Sequence, residues 1–162
     1  MRSEEVLVKV LSEKQIKIAT AESCTGGMLS EMITNVSGAS GVFECGICSY
    51  SNRIKIQVLG VNPQTIERYT EVSTQTAEEM AKGVLALSKA NIAVSTTGVA
   101  GPTGGTDENP VGTVCIGFAF GESVISEKKN FNPDKCDDRD TIRRRCAEYC
   151  LVKAAEIVGE KL

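Results

Sequence analysis

The chain has 162 residues, a net charge of -3 and an ordinary apolar fraction. That suits one domain over 1–162 with its own core and gives no global basic field for nucleic acid. No apolar run approaches the ~18 residues of a membrane span, and Met1–Glu5 lacks the apolar core of a signal peptide, so a cytoplasmic protein with no membrane partner is expected.

In chain order, Ser3 is placed to cap a first helix, with Val6, Leu7, Val10 and Leu11 facing inward. A first strand covers Ile16 to Ala21. It leads through Glu22-Ser23-Cys24-Thr25-Gly26-Gly27 into a helix over Thr25 to Thr34. A second strand is expected over Val42 to Tyr50, a short helix over Ile54 to Leu59, and another turn or helix from Asn62-Pro63 to Tyr69. Thr76 and Glu79 have capping-box spacing, which predicts a longer helix over Thr74 to Lys89. A third strand, Ile92 to Thr97, precedes a glycine-rich loop from Gly98 to Gly112. Gly121-Glu122 fits a type II′ turn, so strands over Thr113 to Phe120 and Ser123 to Phe131 form a hairpin. The last helix is expected over Asp140 to Glu160. Helices separate the first three strands, which predicts parallel pairing. The fold class is therefore α/β: a three-layer α/β/α sandwich on a mixed five-stranded sheet with one antiparallel strand.

There is no histidine. That excludes the usual Ser-His-Asp and Cys-His mechanisms and removes the commonest metal ligand. The chain also has no Trp and few aromatics, which argues against stacking platforms for single-stranded nucleic acid. Seven cysteines in a chain without a secretory signal are expected to be reduced. Cys45 and Cys48 have C-x-x-C spacing, but on a strand they face opposite ways and cannot share a metal. No metal and no cofactor are expected.

In an open α/β sheet, ligands bind beyond the carboxyl ends of the parallel strands. Three stretches reach that edge. The first is Ser23-Cys24-Thr25-Gly26-Gly27. The second is Tyr50-Ser51-Asn52, with Lys55 a turn further on. The third runs from Thr97 and Gly98 through Gly101, Gly104 and Gly105. Arg143, Arg144 and Arg145 open the last helix near the same edge. Without histidine, a neutral Lys55 is the candidate base for Ser23, with Tyr50 to relay a proton or orient the pair. The N–H groups after Ser23 are placed for an oxyanion. The glycine loop suits a phosphate, with Arg143 to add a bidentate contact. It does not match G-x-x-x-x-G-K-[ST], because no lysine follows Gly105.

Ala21-Glu22-Ser23-Cys24-Thr25-Gly26-Gly27, Phe43-x-x-Gly46, Tyr50-Ser51-Asn52-x-x-Lys55, Leu59-Gly60-Val61, Val72-Ser73, Thr97-Gly98-Val99-Ala100-Gly101-Pro102-x-Gly104-Gly105 and Pro110-Val111-Gly112-Thr113-Val114 together resemble the CinA C-terminal family. Enzymes of that family are nicotinamide mononucleotide deamidases (nicotinamide-nucleotide amidohydrolases). The resemblance implies an α/β/α sandwich and hydrolysis of nicotinamide mononucleotide to nicotinate mononucleotide and ammonia, in pyridine-nucleotide salvage. It maps the nucleophile to Ser23 and its partners to Tyr50 and Lys55. It maps substrate contacts to Thr97 and Gly98, and the phosphate-side arginine to Arg143. Thr25, Gly26, Gly27, Asn52, Gly101, Gly104 and Gly105 complete the expected substrate-binding set. Some relatives carry an N-terminal molybdopterin-binding-like domain, whose activity is not expected here. The alternatives are a non-catalytic nucleotide- or partner-binding module, which has no need of Tyr50 and Lys55, and a cysteine enzyme using Cys24. The expected ligand is a small molecule; self-association into a homo-oligomer stays open.

Overall fold

A computed structural model describes residues 1–162. It contains β1 (Ile18–Glu22), β2 (Phe43–Cys48), β3 (Ile92–Gly98), β4 (Thr113–Phe120) and β5 (Ser123–Asn130). The helices are α1 (Ser3–Lys14), α2 (Met28–Thr34), α3 (Asn52–Leu59), α4 (Pro63–Tyr69), α5 (Thr74–Ser88) and α6 (Arg139–Lys161). The five strands form one sheet in the order β2-β1-β3-β4-β5. β1 pairs parallel with both β2 and β3, and β4 runs antiparallel to both of its neighbours. The expected mixed sheet with a single reversed strand is therefore present. At the β4–β5 hairpin Gly121 has φ 54 and Glu122 does not have a positive φ, which is the type II′ pattern.

The two faces of the sheet carry side chains of different size. Ile18, Ile92, Val94, Ile116 and Phe118 face α1, α2 and α6 and form the larger core with Leu7, Leu29, Ile33 and Leu151. Ala19, Ala21 and Ala93 face the other way, onto Leu59, Met80 and Val84 of α3 and α5. Small residues let α5 come close. A Cβ on Gly117 would stand 2.5 Å from the carbonyl oxygen of Ala77. The alternation of a strand thus commits each successive residue at its end to a different helical layer.

Several boundaries differ from the sequence expectation, each for a local reason. Gln15 closes α1 in the left-handed region and the Ile16 N–H bonds back to Leu11, so β1 starts at Ile18 and not at Ile16. Gly26 and Gly27 have φ of 59° and 96°, which a helix does not allow, so α2 begins at Met28 and not at Thr25. β2 ends at Cys48, short of Tyr50. Ser51 caps α3 through the Ile54 N–H at 3.2 Å, starting that helix at Asn52. On α1 Leu7, Val8 and Leu11 are buried and Val10, partly buried, packs against the same core; Val6 faces out at 37% exposure. α6 begins at Arg139, one step after Asp138 caps it through the Thr141 N–H at 2.8 Å.

The link between α4 and α5 is under strain. Thr70 sits at φ 67 and ψ 174, a region that is essentially reserved for glycine. It is held there because its carbonyl accepts from Ser73 Oγ at 3.0 Å and Thr76 Oγ1 at 2.8 Å. The next carbonyl, that of Glu71, accepts from Thr97 Oγ1 at 2.7 Å. Relief of the Cβ clash outweighs the added chain entropy of glycine, so Thr70→Gly is expected to stabilise the fold by about 1 kcal/mol. A urea unfolding series checks this, and a loss of stability would show that the Thr70 conformation is unstrained.

Candidate active site

The site begins at a buried carboxylate. Glu22 ends β1 on the α2 side of the sheet and is 1% exposed. Its Oε2 accepts from Thr25 Oγ1 at 2.7 Å and from the N–H groups of Gly27 and Leu29, each at 3.0 Å. Its Oε1 accepts from the Ser30 N–H at 2.8 Å and Ser30 Oγ at 2.6 Å. Because Thr25 and Ser30 spend their protons on Glu22, the neighbouring hydroxyls must donate to them. Thr96 Oγ1 therefore donates to Thr25 Oγ1, and Thr20 Oγ1 donates to Ser30 Oγ, both at 2.7 Å. One carboxylate thus shapes the whole turn and the start of α2.

Ser23, the next residue, is directed to the opposite face, toward α3. Its N–H bonds the Thr96 carbonyl at 2.9 Å, and the Glu22 carbonyl takes the Ser49 N–H at 2.8 Å. These two bonds fix the peptide between both neighbouring strands. Lys55, in the first turn of α3, is 1% exposed. Its Nζ lies 2.9 Å from Ser23 Oγ, 2.8 Å from the Ser49 carbonyl and 3.4 Å from the Tyr50 carbonyl. A neutral amine has two hydrogens and one lone pair. As an ammonium Lys55 donates to all three oxygens; once neutral it can keep both carbonyls and turn its lone pair to the Ser23 hydroxyl. Burial lowers the Lys55 pKa from its ordinary value, opposed by the nearby charge of Glu71. Cys24 packs inward at 6% exposure, and burial raises its thiol pKa well above the usual value. It sits in the core cluster, which is the wrong setting for a thiolate nucleophile.

A cleft of about 300 Å³ opens over this pair. Ser23, Tyr50, Asn52, Lys55, Thr97, Gly98, Gly101 and Gly104 all line it, as the sequence predicts. The N–H groups of Cys24 and Thr25 donate to no other residue, nor do those of Ala100, Gly101, Thr103 and Gly104. Gly101 and Gly104 have φ of 76° and 88°, so the loop turns its amides in a way that side-chain-bearing residues resist. Unpaired amides beside a cleft favour an anion.

Other expected residues play different parts. The Tyr50 hydroxyl accepts from Arg139 Nη2 at 3.0 Å and the ring is 63% exposed; only the Tyr50 backbone meets the lysine. Arg143 does not line the cleft. Its Nε donates to the Cys24 carbonyl at 3.1 Å and its Nη2 to the Thr25 carbonyl at 2.7 Å, so it braces the turn from behind. Thr25 is fully buried, and Gly26 and Gly27 shape the turn. Gly105 lies against a neighbouring depression with Pro110 and Val111. The arginine at the cleft is Arg139, whose Nη1 donates to the Gly101 carbonyl at 2.6 Å. It precedes Arg143 by one helical turn, and Asp138 as cap was the available signal. Glu71 also lines the cleft, without any sequence pattern to announce it.

The family model described as "CinA C-terminal domain" matches residues 1–158. The chain belongs to that family. A CinA-like protein of Thermotoga neapolitana is 45% identical over 160 residues, 99% of this chain and 38% of the relative. One of Chlorobaculum tepidum is 55% identical over 116 residues, 72% of this chain and 27% of the relative. The chain thus spans about a third of the length of these curated relatives. Among solved structures, the competence damage-inducible protein A of Klebsiella pneumoniae superposes with a TM-score of 0.92 at 28% identity, covering 100% of both chains. The competence/damage inducible protein of Agrobacterium tumefaciens gives 0.90 at 33% identity, covering 98% of this chain and 96% of that one. The CinA fold is therefore matched from end to end. No helix is long and apolar enough to cross a membrane.

Within this CinA domain Glu22 accepts only, and an amide in its place presents hydrogens to N–H groups. Glu22→Gln is expected to cost about 2–3 kcal/mol, the penalty of leaving buried donors unpaired. Urea unfolding of the variant measures this; an unchanged midpoint would show that the turn holds itself.

Proposed function

We propose that this domain is an amidohydrolase that converts nicotinamide mononucleotide to nicotinate mononucleotide and ammonia. The observation that carries this reading is the 2.9 Å contact between Lys55 Nζ and Ser23 Oγ, with both groups buried. A module that only bound nucleotides has no use for a buried amine on a hydroxyl. The resemblance of the motifs supplies the substrate.

In the proposed reaction, neutral Lys55 takes the Ser23 proton as Oγ attacks the carboxamide carbon. The free N–H of Cys24, which lines the cleft, stabilises the tetrahedral oxyanion. Lys55 then returns the proton to the departing nitrogen, which leaves as ammonia. Lys55 next deprotonates a water that attacks the acyl ester; the acyl–Oγ bond breaks, Lys55 returns the proton to Ser23 Oγ, and the acid product leaves as its carboxylate after losing a proton to solvent. The nucleotide phosphate occupies the amides of the Ala100–Gly104 loop beside Arg139. No metal or cofactor takes part. The role is pyridine-nucleotide salvage by a cytoplasmic protein, with the chain acting as one unit on a small molecule.

Release of ammonia from nicotinamide mononucleotide, with nicotinamide and its riboside as phosphate-free controls, tests the reading. Ser23→Ala is expected to abolish turnover, and Lys55→Met to lower kcat by about 10²-fold or more while keeping the fold. Full activity in Ser23→Ala would end the serine mechanism.

The pH dependence has a definite sign. The reaction needs Lys55 neutral, so kcat/KM should rise with pH as one proton is lost and then level off. Burial places the midpoint below the ordinary lysine value. A profile that falls through this range in the wild type would rule out Lys55 as the base.

A further inference from the structure

Tyr50 is the one aromatic residue along the cleft, and the proposed chemistry leaves its ring unused. The residue is anchored at both ends. At its base, the Tyr50 carbonyl lies 3.4 Å from Lys55 Nζ, and that Nζ is 2.9 Å from Ser23 Oγ. At its tip, the hydroxyl accepts from Arg139 Nη2 at 3.0 Å, and Nη1 of the same guanidinium donates to the Gly101 carbonyl at 2.6 Å. The ring therefore runs from the reactive pair toward the loop whose amides are free. Its faces are open. Tyr50 is 63% exposed, it pairs with no other aromatic ring, and no cation lies over it. A large aromatic face held beside a cleft by its polar tip is a surface for a flat ligand ring to cover.

We propose that Tyr50 is a specificity-determining binding residue, whose ring is the platform on which the amide-bearing aromatic ring of the ligand stacks. The amide carbon must reach Ser23 Oγ, and the anionic group must reach the loop amides beside Arg139. A ligand that joins these two points passes along the Tyr50 ring, because the residue is anchored at the same two points. This rests on the amidohydrolase reading, and it adds what is recognised between the two ends of the substrate. An electron-poor ring gains most on the electron-rich face of a phenol, and a ligand without a ring gains nothing there. The tyrosine thus serves as a surface and not as a proton relay: its hydroxyl is bonded to Arg139 and to neither Ser23 nor Lys55.

The test uses the full chain with Ser23→Ala, so that ligands bind without turnover, and adds Tyr50→Leu or Tyr50→Phe. Both changes fall on an exposed side chain and leave the core intact. Calorimetry compares nicotinamide mononucleotide with ribose 5-phosphate, which keeps the sugar and phosphate and lacks the ring. Tyr50→Leu is expected to weaken the mononucleotide about 5- to 10-fold, the contribution of a stacked aromatic pair beyond its buried area. Ribose 5-phosphate should change by less than about 2-fold, since nothing in it stacks. Tyr50→Phe keeps the ring and should weaken the mononucleotide by less than about 2-fold. Equal weakening of both ligands, no weakening of either, or a loss in Tyr50→Phe as large as in Tyr50→Leu would overturn the platform. If nicotinamide mononucleotide does not bind, the substrate reading falls separately. The platform is then decided with adenosine monophosphate against ribose 5-phosphate, because stacking tolerates any π-face. An advantage of the aromatic ligand that Tyr50→Leu removes supports it; no advantage, or one that survives Tyr50→Leu, overturns it.

Discussion

Everything at the site depends on how Glu22 is satisfied. A buried carboxylate needs donors on both oxygens, and the five it has come from Thr25, Gly27, Leu29 and Ser30. To deliver them, the chain must turn sharply after β1 and bring the first amides of α2 back over the strand end. Gly26 and Gly27 make that turn possible at φ 59° and 96°. Arg143 closes it from the other side through the Cys24 and Thr25 carbonyls. The acid does not touch the cleft, yet the direction of Ser23 follows from it.

The sheet then divides the labour. Alternation sends Glu22 to the α2 face and Ser23 to the α3 face. The supporting hydroxyl network of Thr20, Thr25, Ser30 and Thr96 thus lies on one side of the sheet. The Ser23–Lys55 pair lies on the other, against α3. The small residues Ala19, Ala21 and Ala93 let α3 and α5 pack closely there. That closeness also buries Lys55, so the packing of the fold and the lowered pKa of the amine have one cause.

The layer order, the single reversed strand and the hairpin were legible because they follow from strand spacing and one turn type. Ser23 and Lys55 were legible because the absence of histidine leaves few bases, and one lysine follows the strand beside β1. The errors lie where side-chain direction decides. Arg139 and Arg143 share a helix face, but one belongs to the cleft and the other to the back of the turn, and no periodicity tells them apart. The Tyr50 hydroxyl was expected at the lysine; β2 ends early, so the carbonyl meets the amine and the ring swings to Arg139. Glu71 is hidden for a different reason. Its place depends on a positive φ at Thr70, which a threonine does not advertise.

The placement of Glu71 bears on how a buried lysine can serve as a base. Two influences compete at Lys55: burial favours the neutral amine, and the Glu71 carboxylate favours the ammonium. Under the proposed reaction burial has to prevail, because only the neutral amine can take the proton of Ser23. The balance is set by where α3 holds Lys55, almost wholly out of water, against an exposed Glu71 whose charge water and salt screen.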